Sequence, residues 1–166
     1  RALTDTYKGI PEFLEHFSRE SDLVNSCTLI ICGDGVIESP QSLDCRFLGA
    51  LTETKQLARF YNACDVFLSP SRMETFGMTL LEAQAASTPV VAFKVGGTPE
   101  AVCHLQHGYL AEEANYSDIL SGLRWLLRDL QQARQIGLDA SAWVQRNFSA
   151  IVVGKKQLNS YDFIRT

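Results

Sequence analysis

Short continuous apolar runs, each closed by glycine or a polar turn, alternate along this 166-residue chain with longer segments whose apolar residues recur at helical spacing. A continuous apolar run suits a strand covered on both faces, and parallel strands need a crossover between them, most often a helix. The strand-like runs are Cys27 to Cys32, ended by Gly33-Asp34-Gly35, then Cys45 to Leu48, Asp65 to Leu68 and Pro89 to Phe93. Between them lie a helix opened by Pro11 and carrying Ile10, Phe13, Leu14 and Phe17, and one capped by Thr52 and carrying Leu57, Phe60 and Tyr61. A third helix spans Phe76 to Ala86. From Tyr116 the pattern is helical, with stripes at Ile119, Leu120, Leu123, Leu126 and Leu127, then at Ile136, Ala140, Trp143 and Val144. A weaker stripe follows in Ser149 to Thr166. The pattern predicts an α/β fold, a Rossmann-like parallel sheet with helices on both faces and a helical C-terminus, in one domain of residues 1–166.

In such sheets ligands bind beyond the carboxyl ends of the strands. Lys8, Gly33, Gly49, Glu74 and Gly96 all fall in loops at that edge. The densest cluster is Ser69 to Ala83, where Glu74 stands just before the third helix and Glu82 two turns inside it, with Gly77 at the helix start. The first amides of a helix lack intrahelical partners and carry partial positive charge, so Gly77, Met78, Thr79 and Leu80 are candidates for holding a diphosphate. Carboxylates facing an anion would be repelled, which suits Glu74 and Glu82 to accepting hydrogen bonds from hydroxyls on either side of it. Eight residues of helix would set them roughly 12 Å apart, about the reach from a transferred sugar to a ribose. A plainer reading stands beside this one: Glu74 as a helix-dipole residue and Glu82 as a wet face. Gly96-Gly97 followed by Thr98-Pro99 reads as a tight strand exit, an N-cap and a Pro at the first helical position, bordering a diphosphate or serving only as a turn.

The net charge of −4 offers no general attraction to nucleic acid or anionic lipid, so phosphate binding must come from local amides and a few cations. The five cysteines are odd in number and form no Cys-x-x-Cys pair, which fits buried free thiols in a reducing cytosol and not a zinc site. The three histidines cluster with neither a serine nor the cysteines. There is no Gly-x-Ser-x-Gly elbow or Gly-Lys-Thr phosphate loop, no third glycine to complete a dinucleotide fingerprint after Gly33-Asp34-Gly35, and no Asp-x-Asp pair for a metal.

The ordered motifs carry a resemblance. Lys8-Gly9, Gly33-Asp34-Gly35, Phe47-Leu48-Gly49, Glu74-x-Phe76-Gly77, Glu82-Ala83, Thr88-Pro89-Val90-Val91-Ala92, Gly96-Gly97-Thr98-Pro99-Glu100 and His107-Gly108-Tyr109-Leu110 together resemble the C-terminal, donor-binding half of group 1 (family 4) retaining glycosyltransferases of the two-domain GT-B fold. The resemblance implies that Glu74 contacts hydroxyls of the donor sugar, that Glu82 binds the ribose, and that amides after Phe76-Gly77 hold the diphosphate. It implies that Lys8 and Arg1 neutralise the phosphates and that the segment from Gly49 to Leu51 lies against the base, with no metal or other cofactor. Ser87 stands where the family commonly has Gly, a departure that bears on a helix C-cap. Arg1 is spaced more loosely from Lys8 than in the family, and the loop from Asp34 to Asp44 is short. No counterpart of the family's N-terminal acceptor half is present, nor of the strand expected just before Arg1.

The implied function is binding of a nucleoside diphosphate sugar for retaining transfer to a hydroxyl acceptor, as a cytoplasmic transferase of polysaccharide or lipopolysaccharide assembly. The expected partners are that donor and the missing N-terminal domain, with no nucleic acid, and with peripheral association of the full enzyme at the cytoplasmic face of a membrane. The isolated domain is expected to be inactive. Two alternatives stand beside it: a non-catalytic nucleotide-binding regulatory module, and another GT-B enzyme such as a sugar-nucleotide epimerase.

Overall fold

A computed structural model describes residues 3–164, with side chains described through Tyr161. A short 3-10 turn at Thr6–Lys8 leads into α1 (Ile10–Phe17) and the brief α2 (Ser21–Val24). Then follow β1 (Leu29–Cys32), β2 (Cys45–Gly49), α3 (Thr54–Ala63), β3 (Phe67–Ser69), α4 (Met78–Ala85), β4 (Val90–Phe93), α5 (Thr98–Ala101) and β5 (Gly108–Ala111). The chain ends in α6 (Tyr116–Leu127), α7 (Leu130–Phe148) and α8 (Ala150–Ile164).

All strand pairings are parallel, as the alternation predicts, and the strands between β2 and β5 are separated by helices. Among the described residues they form two sheets rather than one: β1 with β2, and β3-β4-β5 with β4 in the middle. Both sheets feed one apolar core. Leu29 and Ile31 of β1, Leu68 of β3 and Val91 and Phe93 of β4 share it with Phe13, Leu14 and Phe17 of α1 and with Ile119, Leu120, Leu123 and Leu126 of α6. A second core lies under α4, where Leu80, Leu81 and Ala83 meet Val90, Ala92, Tyr61 and Val144. β4 is buried along its whole length, which is why its sequence is a run of apolar residues with no polar alternation.

Several expectations are corrected. β1, β3 and β4 are shorter than the apolar runs that announce them, Cys27 for example packing against the core without joining β1, while β2 extends one residue further, to Gly49. Neither Thr52 nor Thr98 is an N-cap. α3 starts at Thr54 after Glu53 and has no side-chain cap, while Thr98 is itself helical and turns its hydroxyl back to the carbonyls of Phe93 and Val95, each at 2.9 Å. β5 and α2 were not anticipated. The five cysteines are all free, but half-buried rather than buried; burial still pushes the Cys45 and Cys64 thiols above their ordinary range. No helix among the described residues is long and apolar enough to cross a membrane.

Candidate donor-binding site

The loop after β3 is held from both sides by backbone contacts that leave no room for side chains. On one side the Arg72 N–H donates to the Tyr7 carbonyl at 2.8 Å, and Gly9 lies so near Pro70 that a Cβ would sit 2.3 Å from the Pro70 carbonyl oxygen. On the other side Gly96, at φ +51°, passes so close that a Cβ would lie 1.8 Å from the Glu74 carbonyl oxygen. Gly96-Gly97 thus serves loop packing, and the clamp fixes where Glu74 stands. Lys8, just before Gly9, reaches the Glu74 carboxylate at 3.8 Å with both side chains partly exposed. The expected cation and the expected hydroxyl acceptor therefore occupy one site and meet each other in it.

An open cavity of about 540 Å³ adjoins this pair, lined by residues that include Tyr7, Arg72, Glu74, Lys94 and Glu113. Two cations and two carboxylates line it, and Arg72 is further paired with Glu12 of α1 at 3.7 Å. Balanced charge with abundant donors and acceptors suits a polyhydroxyl ligand better than a polyanion.

Helix α4 begins at Met78, two residues later than expected, because Gly77 takes the left-handed conformation at φ +93° and serves as its N-cap. Glu74 lies in the loop before it, and Glu82 is consequently one turn into the helix instead of two. The Leu80 N–H donates to the Gly77 carbonyl at 3.0 Å, so this amide is withdrawn from the expected set. The amides of Gly77, Met78 and Thr79 make no backbone hydrogen bond among the described residues. Phe76 is a packing residue whose ring meets Phe148 edge-on with centroids 5.7 Å apart.

On the far side of the helix start, Glu82 is exposed, so α4 is not apolar all round as its sequence suggests. Its Oε2 accepts from the Tyr61 hydroxyl at 3.1 Å. Burial, with the Glu82 charge beside it, pushes the Tyr61 phenol far above its ordinary range, so it stays a donor. The strand exits lie near. The Gly33 N–H donates to the Gly49 carbonyl at 2.9 Å, and the Cys32 thiol reaches the same oxygen at 3.4 Å. Gly33 thereby ties the loop after β1 to Gly49, which is the last residue of β2 rather than a loop residue, and its own amide is occupied. Gly49 is exposed and Leu51 half-buried. Arg1 lies outside the described residues. The residue that sequence reasoning passed over is Tyr61, read only as part of an apolar stripe; nothing in its spacing distinguishes a core tyrosine from one whose hydroxyl reaches a carboxylate.

Comparison with known proteins bears on this arrangement. Residues 3–143 match the family described as glycosyl transferases group 1. The sulfoquinovosyl transferase SQD2 of Arabidopsis thaliana is 32% identical over 138 residues, covering 78% of this chain and 27% of that protein. Among solved structures, Anabaena HepE in complex with UDP superposes with a TM-score of 0.81 at 22% identity, over 98% of this chain and 47% of the other. The C-terminal domain of a group 1 family glycosyl transferase (LpcC) from Francisella tularensis superposes with a TM-score of 0.72 at 24% identity, over 87% of this chain and 82% of the other. The chain thus spans well under half the length of SQD2 and about half that of HepE, but most of an isolated C-terminal domain of this fold.

Proposed function

This chain belongs to the group 1 glycosyl transferases, and we propose that it is the donor-binding half of a two-domain, retaining enzyme that takes a sugar from a nucleoside diphosphate and passes it to a hydroxyl acceptor. The observation that carries the proposal is the start of α4. Three amides without backbone acceptors lie there, between the Lys8–Glu74 pair on one side and Glu82 on the other.

In this reading the diphosphate lies on the Met78 and Thr79 amides, where the helix dipole and the N–H groups favour negative charge. Lys8 stands next to it. When the sugar–phosphate bond breaks, charge builds on the departing diphosphate, and a cation and oriented amides already in place stabilise it without reorganisation. Glu74 accepts from hydroxyls of the sugar, which fills part of the adjoining cavity, and Glu82 accepts from the ribose. The base lies along Gly49 to Leu51. The UDP bound to HepE supports a nucleotide of this class. The acceptor is assigned to the other half of the full-length protein, so the chain by itself binds donor without transferring sugar.

A thermal-shift screen with UDP-, GDP- and ADP-sugars tests the proposal. A cognate donor at 100 times its Kd should raise stability by about 2.7 kcal/mol. No shift with any of the three would count against it.

A further inference from the structure

We propose that Tyr61 is a positioning residue that presets Glu82 for ribose hydroxyls and so makes the site discriminate ribonucleotides from nucleotides lacking those hydroxyls. The inference rests on the donor reading above.

Tyr61 sits in the last turn of α3 and is 4% exposed. Its ring stands edge-on to Phe67 with centroids 5.2 Å apart, and tilted against Phe60 at 5.3 Å. Its carbonyl accepts from the Thr88 hydroxyl at 2.7 Å, tying this turn of α3 to the segment that follows α4. With ring and backbone both held, the hydroxyl has one place to go, the Oε2 of Glu82. Glu82, by contrast, is exposed on a helix surface, and Tyr61 is its hydrogen-bond partner among the described residues. A free glutamate of this kind loses rotamer freedom when it grips a ligand. The bond from Tyr61 imposes that restriction in advance, during folding, and a preorganised group binds with less to lose.

The polarity of the bond adds specificity. A carboxylate only accepts and a phenol at neutral pH donates, so Oε2 faces Tyr61 and Oε1 keeps both lone pairs for an alcohol. A ligand without that alcohol leaves the oriented acceptor unmatched.

The test uses this chain and calorimetry with UDP, GDP and ADP, then with the 2′,3′-dideoxy counterpart of whichever binds most tightly. Tyr61→Phe keeps the ring and should weaken the ribonucleotide about five- to tenfold, in line with the freedom a rotamer-rich side chain loses when it is immobilised on binding. It should leave the dideoxy form unchanged and add no further loss in a Glu82→Ala background. Melting curves confirm that each variant is folded. Equal losses on both nucleotides, or losses that add to those of Glu82→Ala, overturn the role given to Tyr61 while leaving the donor reading standing. If Glu82→Ala itself leaves ribonucleotide affinity unchanged, the ribose assignment and the role of Tyr61 fall together.

Discussion

Ser87 shows how a single residue can be suboptimal where the chain turns. It stands just past the C-cap of α4 at φ +64°, with its N–H donating to the Gln84 carbonyl at 2.9 Å and the Thr88 N–H donating to the Ala83 carbonyl at 3.0 Å. That is the Schellman arrangement, which favours glycine because a Cβ is strained in the left-handed region. Ser87→Gly should raise stability by about 0.5–1 kcal/mol, measured by denaturant titration. Gly96 is the opposite case: Gly96→Ala should cost about 2–3 kcal/mol and weaken donor binding, because the Glu74 backbone would have to retreat. At this scale the sequence offers candidate residues and is silent about their contacts. Glu74 and Glu82 could be singled out from residue type and order, and Lys8 from the resemblance, whereas the Lys8–Glu74 pairing and the reach of Tyr61 onto Glu82 join positions far apart in the chain, and no local pattern encodes them.

Elements were legible where their apolar periodicity was long, as in α1, α6 and α7, and were lost where they were short. β5 was missed because Gly108-Tyr109-Leu110-Ala111 opens on a glycine and offers too few residues for a pattern; α2 has one buried residue to announce it. The start of α4 was placed too early because propensity and apolarity do not register Gly77 taking a left-handed turn. Packing between elements also overrules propensity. Gly137 lies in α7 where a Cβ would come 2.1 Å from the Ser87 carbonyl oxygen, so Gly137→Ala should destabilise the chain in a thermal melt although alanine is the better helix former. α2 is tied to α6 by Arg124, whose Nε reaches Asp22 at 2.7 Å and which also bonds Glu20. The guanidinium holds the Asp22 carboxyl down to about 2 from an ordinary 3.8. A depressed carboxylate contributes stability above its unfolded value and loses it as the pH falls through the folded one. Asp22→Asn should therefore lower the melting temperature at pH 7, with the gap from the parent chain closing between about pH 4 and pH 2.

At the scale of the whole molecule, the alternation of apolar runs and helices carries the fold class, because parallel strands and their crossovers leave few arrangements. It does not carry the partition of the strands into two sheets, since edges are chosen by backbone pairing that side-chain patterns do not record. What the architecture achieves is convergence. Gly33, Gly49, Glu74 and Gly96 lie at or after the carboxyl ends of β1, β2, β3 and β4, with Gly33 bonded to Gly49 and Gly96 packed on the Glu74 backbone, and α4 starts soon after Glu74. In the full-length protein, Glu74→Ala and Glu82→Ala should each lower turnover or donor affinity by about 10- to 100-fold, the loss expected for a hydrogen bond to a charged group.

The most direct test is a ¹H–¹⁵N NMR titration of this chain with UDP, GDP and ADP, following backbone amides. The largest shifts on binding should fall on Gly77, Met78 and Thr79, with Leu80, whose N–H is already engaged, moving less. Binding that leaves those three amides undisturbed, or no binding of any of the three nucleotides, would contradict the donor reading.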